Sequence, residues 1–420
     1  MKELKTRFQK YVDSGSIASR AVESVWRYLL LLAPTLFLAA LCAGCGQGNA
    51  LSRRVYWTDV LNHKIQRADV NCLRGPAANA CIETVLDTLS VVPAETGHPG
   101  AKSPNSVVVD SDGGWIYWSE FWTGIHRTTL DGQSTQTIVP TRRMPIHDSW
   151  FPPVYLPGLD RDTPELLRAD IQGIDIDPVN KRLYFGPDHP FESPLGSKYL
   201  NPNSDLPFAG ARIWSSNLDG SLRVKLLSNS VDGFPGSLGL DLTNRKMYWG
   251  SPTSGGYPHA NRLMRADLSG TNMETFLLLD GSEGRPWLDP RDVAVDEAAG
   301  RVYFTSAYTN SIWRVKADGT DLRQLLRRLD TPQNIVLDVA DGKMYFAEVS
   351  HNVPDGTQPR GGAVSRANLN GSGYERLVTG SSFPAGTFTA DFPFAPNGIA
   401  LVPCPKRPDM IVSNLTTSPQ

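Results

Sequence analysis

The chain has 420 residues, 40% apolar and 20% charged, which excludes a disordered chain and allows two or three domains or one large repeat. Its formal net charge of −2 supplies no basic field for nucleic acid, and five cysteines are too few for a disulfide-dense scaffold. Gly 37 and Pro 32 are too few for a collagenous chain but predict many turns.

The first element is the apolar run YLLLLAPTLFLAAL at 28–41. A spanning helix needs about 20 such residues, so this run is short for one. It follows a basic segment carrying Lys2, Lys5, Arg7, Lys10, Arg20 and Arg27. That is the layout of a secretory signal. The next residues, Cys42-Ala43-Gly44-Cys45, resemble a bacterial lipobox, which implies a mature chain beginning at a lipidated Cys45. An uncleaved signal anchor and ordinary signal cleavage are the alternatives. The expected division is a signal peptide at 1–44, a tether at 45–50, a repeat domain at 51–404 and a tail at 405–420. Without 1–44 the net charge becomes −5, so an exported chain of this kind is no candidate for nucleic acid. An oxidising compartment permits disulfides. Cys72 and Cys81 bracket the short loop CLRGPAANAC and are expected to pair, leaving Cys404 over.

Aromatic pairs then recur: Tyr56-Trp57, Tyr117-Trp118, Tyr184-Phe185, Tyr248-Trp249, Tyr303-Phe304 and Tyr345-Phe346. Five are preceded by an alternating run ending in Asp and a polar turn, as in SVVVDSDGGWIYW and GIDIDPVNKRLYF. Alternation predicts strands, and the Asp, Gly and Asn clusters predict tight hairpins. A third strand, a turn such as LDG, and a fourth short strand follow each pair. Four antiparallel strands repeated at this spacing predict a propeller. The first aromatic strand, 54–57, lacks a preceding inner strand, and 395–402 near the C-terminus is an inner strand without a follower. The expected fold is therefore all-β, a six-bladed propeller whose last blade is closed by N- and C-terminal strands.

These repeats resemble the YWTD repeats of the low-density lipoprotein receptor class B type. Tyr56-Trp57-Thr58-Asp59 matches that motif outright. The resemblance covers roughly 51–404 and implies the six-bladed fold, not receptor function. The motif acid persists as Asp59, Glu120 and Glu348, whereas Pro187, Ser251 and Ser306 stand in its place elsewhere.

The surplus length falls at 140–169, 187–211, 251–261, 348–362 and 380–395, with 91–102 shorter. By propeller topology these are 2→3 loops and 4→1 connections, which open on one face. Loops on a rigid scaffold concentrate binding and catalysis. They contain His147 and Trp150 in PIHDSWFPPVY, His189 in PDHPFES, and Tyr257 in GGYPHAN. Aromatics interleaved with polar groups suit carbohydrate, peptide or small-ligand contact. Five of the seven histidines fall in these segments and His63 in another top-face connection, although no tight metal-ligand spacing joins them.

Aligned inner strands place Asn105, Gln172, Arg291, Gln333 and Asn397 around the channel mouth, with Asp292 and Asn334 one step further. Asp175 stands where other repeats carry Val, Ala or Gly. These residues could bind an anionic or polyhydroxyl ligand, or they could simply hydrogen-bond strand ends and channel water. Asp110, Asp177, Asp241, Asp296 and Asp338 read as turn residues.

The expected function is an exported, lipid-anchored, monomeric propeller binding a protein, peptide or glycan through long top-face loops. No cofactor is expected. The alternative is a metal-dependent enzyme of lactonase, hydrolase or lyase type at the top channel mouth. Its divalent cation would be calcium on Asn105, Asp175, Asp292 and Asn397, or zinc on His147 and His189. Nothing in the sequence excludes a third reading, a structural docking part of an envelope complex.

Overall fold

The computed structural model describes residues 53–74, 78–91, 103–120, 123–140, 171–188, 212–227, 237–251, 261–349, 361–382 and 394–403. They form six antiparallel sheets of four strands. The first holds β1 (Arg53–Asp59), β2 (Lys64–Asp69) and β3 (Glu83–Asp87). Blade 2 is β4 (Pro104–Asp110), β5 (Trp115–Glu120), β6 (Gly124–Thr129) and β7 (Thr135–Pro140). Blade 3 is β8 (Ile171–Asp177), β9 (Arg182–Asp188), β10 (Arg212–Asn217) and β11 (Val224–Leu227). Blade 4 is β12 (Leu238–Asp241), β13 (Lys246–Ser251), β14 (Arg262–Asp267) and β15 (Glu274–Leu278). Blade 5 is β16 (Pro290–Asp296), β17 (Arg301–Ser306), β18 (Ser311–Lys316) and β19 (Arg323–Leu326). Blade 6 is β20 (Pro332–Asp338), β21 (Lys343–Glu348), β22 (Ala363–Asn368) and β23 (Glu375–Thr379). The last strand, β24 (Pro396–Pro403), pairs with β1 and completes blade 1 from the other end of the chain.

The aromatic pairs explain how the blades stack. Successive residues of a strand point to opposite faces of its sheet. The tyrosine of each pair therefore packs toward the next blade and its partner toward the previous one. Tyr303 of blade 5 lies in one cluster with Ile335, Met344 and Phe346 of blade 6. Phe304, its neighbour in sequence, lies with Tyr248 and Leu263 of blade 4. The same arrangement closes the ring, where Tyr345 of blade 6 packs with Val55, Trp57 and Ile399 of blade 1.

The outer turns fit together by close backbone approach. Gly132, Gly220, Gly270, Gly319 and Gly371 end the third strands' turns with φ between 73° and 86°. A Cβ on any of them would lie 1.9–2.7 Å from a carbonyl oxygen of the preceding blade's fourth strand. Only glycine meets both conditions. A third-strand arginine adds a further tie: Arg265 donates to Glu274 of its own blade and to the Ala317 carbonyl of blade 5. Arg67 repeats this with Glu83 and the Leu130 carbonyl of blade 2.

The five turn aspartates have the expected role. Asp110, Asp177, Asp241, Asp296 and Asp338 each accept the backbone N–H three residues on, at 2.8–3.1 Å. Cys72 and Cys81 are joined by a disulfide with Cα atoms 6.1 Å apart. The 1→2 hairpins are short, as are the 3→4 turns apart from this disulfide loop. Segments 92–102, 141–170, 189–211, 228–236, 252–260, 350–360 and 383–393 all leave strand ends on the opposite, top face. Cys45, Cys404, His147, Trp150, His189 and Tyr257 lie outside the described residues.

Candidate functional site at the channel mouth

Each inner strand has one edge paired in its blade and one edge facing the central channel. The mouth residues are not a ring of unengaged amides. Asn397 donates through Nδ2 to the backbone and side-chain oxygens of Asn105. Asn105 donates onward to the Ile171 carbonyl of blade 3 at 3.4 Å. These two amides thus link three consecutive blades. Gln333 contributes its carbonyl, which accepts Thr305 Oγ1 at 2.6 Å, while its side chain is half-buried. The Gln172 side chain is not among those described.

The carboxylates are built into the seams. Asp292 accepts the Ile335 N–H of blade 6 at 2.7 Å and is tied to the side chains of Asn334 and Ser237. Asp175 accepts the N–H groups of Ile176, at 2.8 Å, and of Leu240 in blade 4, at 3.0 Å. Burial pushes the Asp175 carboxyl up to about 7, and the charges of Asp292 and Glu297 push the same way. Burial likewise raises Asp292 to about 6, opposed by its hydrogen bonds. The sequence pattern singles out Asp175 as unusual but does not reveal that its partner is the next blade's backbone.

Two close contacts constrain the channel glycines Gly398 and Gly173. A Cβ on Gly398 would fall 2.4 Å from the Asn105 oxygen and 2.9 Å from Ser106 Cα. One on Gly173 would fall 2.6 Å from Ser237 Cα. Bulky changes there disturb blade packing, so they do not isolate a ligand site.

The motif acids serve the scaffold. Glu348 accepts the Asp330 N–H at 2.7 Å and the Tyr374 hydroxyl at 2.8 Å. Asp59 accepts the Ala395 N–H, and burial lifts its carboxyl to about 6. Both clamp the connection that enters their own blade. In blade 5 the polarity is reversed: Ser306 replaces the acid and donates to Asp289 of the entering connection at 2.7 Å. Asp289 also accepts the Tyr308 N–H at 2.9 and 3.1 Å, and the Arg291 Nε lies 3.2 Å away.

A metal at the mouth would draw on Asp175, Asp292, Asn105 and Asn397. That set offers two carboxylates, each already accepting backbone N–H groups. Among the described residues, no group of three His, Cys, Asp or Glu comes together in ligand geometry. Sequence reasoning missed Trp287 and Tyr308, which stand exposed, Tyr308 sharing Asp289 with Arg291. The signal available for them was the short, aromatic-bearing connections SEGRPWLDP and AYTN.

No protein-family model matches the chain, and no curated protein matches it in sequence. Solved structures do resemble it. A chain of the nidogen/laminin complex is 15% identical with a TM-score of 0.55, over 84% of this chain and 100% of that one. A putative TolB from Agrobacterium tumefaciens is 13% identical with a TM-score of 0.45, over 79% and 90%. A gluconolactonase from Xanthomonas campestris is 14% identical with a TM-score of 0.45, over 71% and 83%. What this chain has in common with the nidogen/laminin chain is the six-bladed propeller fold.

Proposed function

We propose that this chain is an exported, lipid-anchored propeller that binds a protein, peptide or glycan through its top face. One observation carries the reading: the long connections 141–170, 189–211, 252–260, 350–360 and 383–393 all depart from one end of the strands. The opposite end bears short turns apart from the Cys72–Cys81 loop, and the aspartates of its 1→2 turns are spent on capping. A rigid scaffold with elaboration on one face is the arrangement expected of a recognition protein. The propeller fold of the nidogen/laminin complex chain supports a protein partner at a coarse level. Residues 1–45 supply the reading of export and anchoring, and the mouth residues are proposed to border the site.

Site-specific photo-cross-linking in the producing cell tests this. A benzoylphenylalanine placed at 147, 150, 189 or 257 is expected to give discrete adducts. The same residue at Asp131, Asp219 or Asp318, in the bottom-face turns, is expected to give none. Adducts confined to the bottom positions overturn the reading. Metal analysis of chain purified without chelator tests the enzyme alternative, which predicts a stoichiometric divalent ion.

A further inference from the structure

We propose that the top end of blade 5 is a binding site for an acidic sugar, with Trp287 and Tyr308 as the stacking surface and Arg291 as the carboxylate anchor. This deepens the top-face reading and rests on it.

The two rings are exposed, Trp287 at 44% and Tyr308 at 72%. They are large apolar groups left in water on a chain that buries all its motif aromatics. Their centroids are 5.4 Å apart and their planes meet at 74°. Such a pair presents one open face and one flanking ring, which fits the C–H face of a pyranose and its substituents.

The platform is held in place from below. Trp287 bridges to Asp280, and Leu288 N–H bonds the Leu279 carbonyl at 2.9 Å. Buried Asp289 fixes the Tyr308 backbone and lies against the Arg291 Nε. One carboxylate thus positions both an aromatic ring and a guanidinium that is itself 50% exposed. The next connection joins the same surface: Leu329 N–H and Thr331 N–H both bond to Asn310. It brings exposed Arg327 and Arg328, while Arg285 adds charge from the Trp287 side. Asp289 and Asp330 in these segments are buried, and Asp280 is tied to Ser282. Among the described side chains, this surface exposes Arg291, Arg327 and Arg328, while the charge of Asp280 lies beside Arg285 on the Trp287 side. A guanidinium fork matches the planar carboxylate of a uronic acid.

The backbone argues against an extended peptide. The N–H groups of Leu288, Asp289, Tyr308, Asn310, Leu329, Asp330 and Thr331 are all engaged within the chain. Those seven N–H groups are closed to main-chain addition of a strand, and recognition is assigned to the side chains.

The test is calorimetric titration of the full chain in a polyoxyethylene detergent, with oligogalacturonate against its methyl ester as the neutral match. The acid is expected to bind at least about tenfold more tightly than the ester. Trp287→Ala and Tyr308→Ala should each weaken binding of the acid by about tenfold or more. Arg291→Gln should weaken the acid by about tenfold and leave the ester unchanged, with unfolding temperatures of all variants near that of the parent. Equal affinity for acid and ester, no saturable heat with the acid, or full binding by Trp287→Ala each overturns the assignment. A folded protein cross-linked at position 308 overturns it in favour of a protein partner. An inert oligogalacturonate with top-face adducts intact sinks this assignment alone, whereas adducts confined to the bottom face sink the wider reading.

Discussion

At the residue scale, Asp175 is the group whose chemistry departs furthest from its surroundings in sequence. Its carboxyl titrates at about 7 in the folded chain, against 3.8 for an unperturbed aspartate. Between those values the folded state holds a proton that the unfolded state has released. Stability from this group therefore falls as pH rises from about 4 to 7 and is level above that. Asp292 and Asp59 act in the same sense up to about 6. His126 opposes them: burial lowers it to about 4, so the unfolded chain binds its proton first and stability rises through that range. The whole-protein profile mixes these effects, and a difference isolates one. The unfolding temperature of the parent relative to Asp175→Asn should decline as pH is raised from about 5 to 8. A constant difference across that range would show that Asp175 is ionised in the folded state at all these values. Gly398→Val should behave differently, losing about 1–3 kcal/mol at every pH because its side chain strikes Asn105.

At the element scale, the inner strands are joined by hydroxyl staples on the second strands. Thr58 Oγ1 accepts the Gly398 N–H at 2.7 Å and donates to the Asn105 carbonyl of the next blade at 2.8 Å. Thr305 does the same between Asp292 N–H and the Gln333 carbonyl. Thr305→Val keeps the shape and removes both bonds, leaving a buried donor and acceptor without partners. Urea unfolding should show a loss of about 1–3 kcal/mol, and a change within error would mean that water replaces the hydroxyl. These staples mark the limit of what the repeats disclose. The aromatic pairs, the turn aspartates and the turn glycines recur at fixed spacing, so periodicity reads them. A threonine that bridges blades looks like any strand threonine, because its partner lies 28 or 47 residues on. For the same reason the sequence leaves open whether Asn105 and Asn397 await a ligand or bond within the scaffold, although they are 292 residues apart and bonded to each other. The blade 5 platform was illegible because its organiser, Asp289, occupies a place where the repeat pattern carries no acid.

At the scale of the whole molecule, the fold depends on a seam that the chain itself does not join. β24 and β1 are sheet neighbours supplied by distant parts of the chain. The hydrophobic cluster across it contains Tyr345, Val364, Val378 and Ile399 from the C-terminal side and Val55 and Trp57 from the N-terminal side. Arg53 adds a charge tie across that seam, its Nε 2.7 Å from Asp338. Were this seam weaker than the rest, the ring would open there first, because every other pair of inner and second strands is linked by a short hairpin. A circular permutant separates covalent closure from packing. Joining 403 to 53 with a four-residue turn copied from 111–114, and opening the chain within 141–170, converts blade 1 into an ordinary hairpin-linked blade. If the seam is already packed as tightly as the others, the permutant should unfold in one cooperative transition at nearly the parental temperature. A large rise would identify the parental seam as the weak point, since the tether removes chain entropy from the open state. Loss of cooperativity would show that the blade 2 to blade 3 connection holds the ring together, which the shared cluster of Tyr117, Ile174 and Trp214 argues against. The outcome bears on function, because a top-face site spread over several blades keeps its geometry only while the ring stays shut.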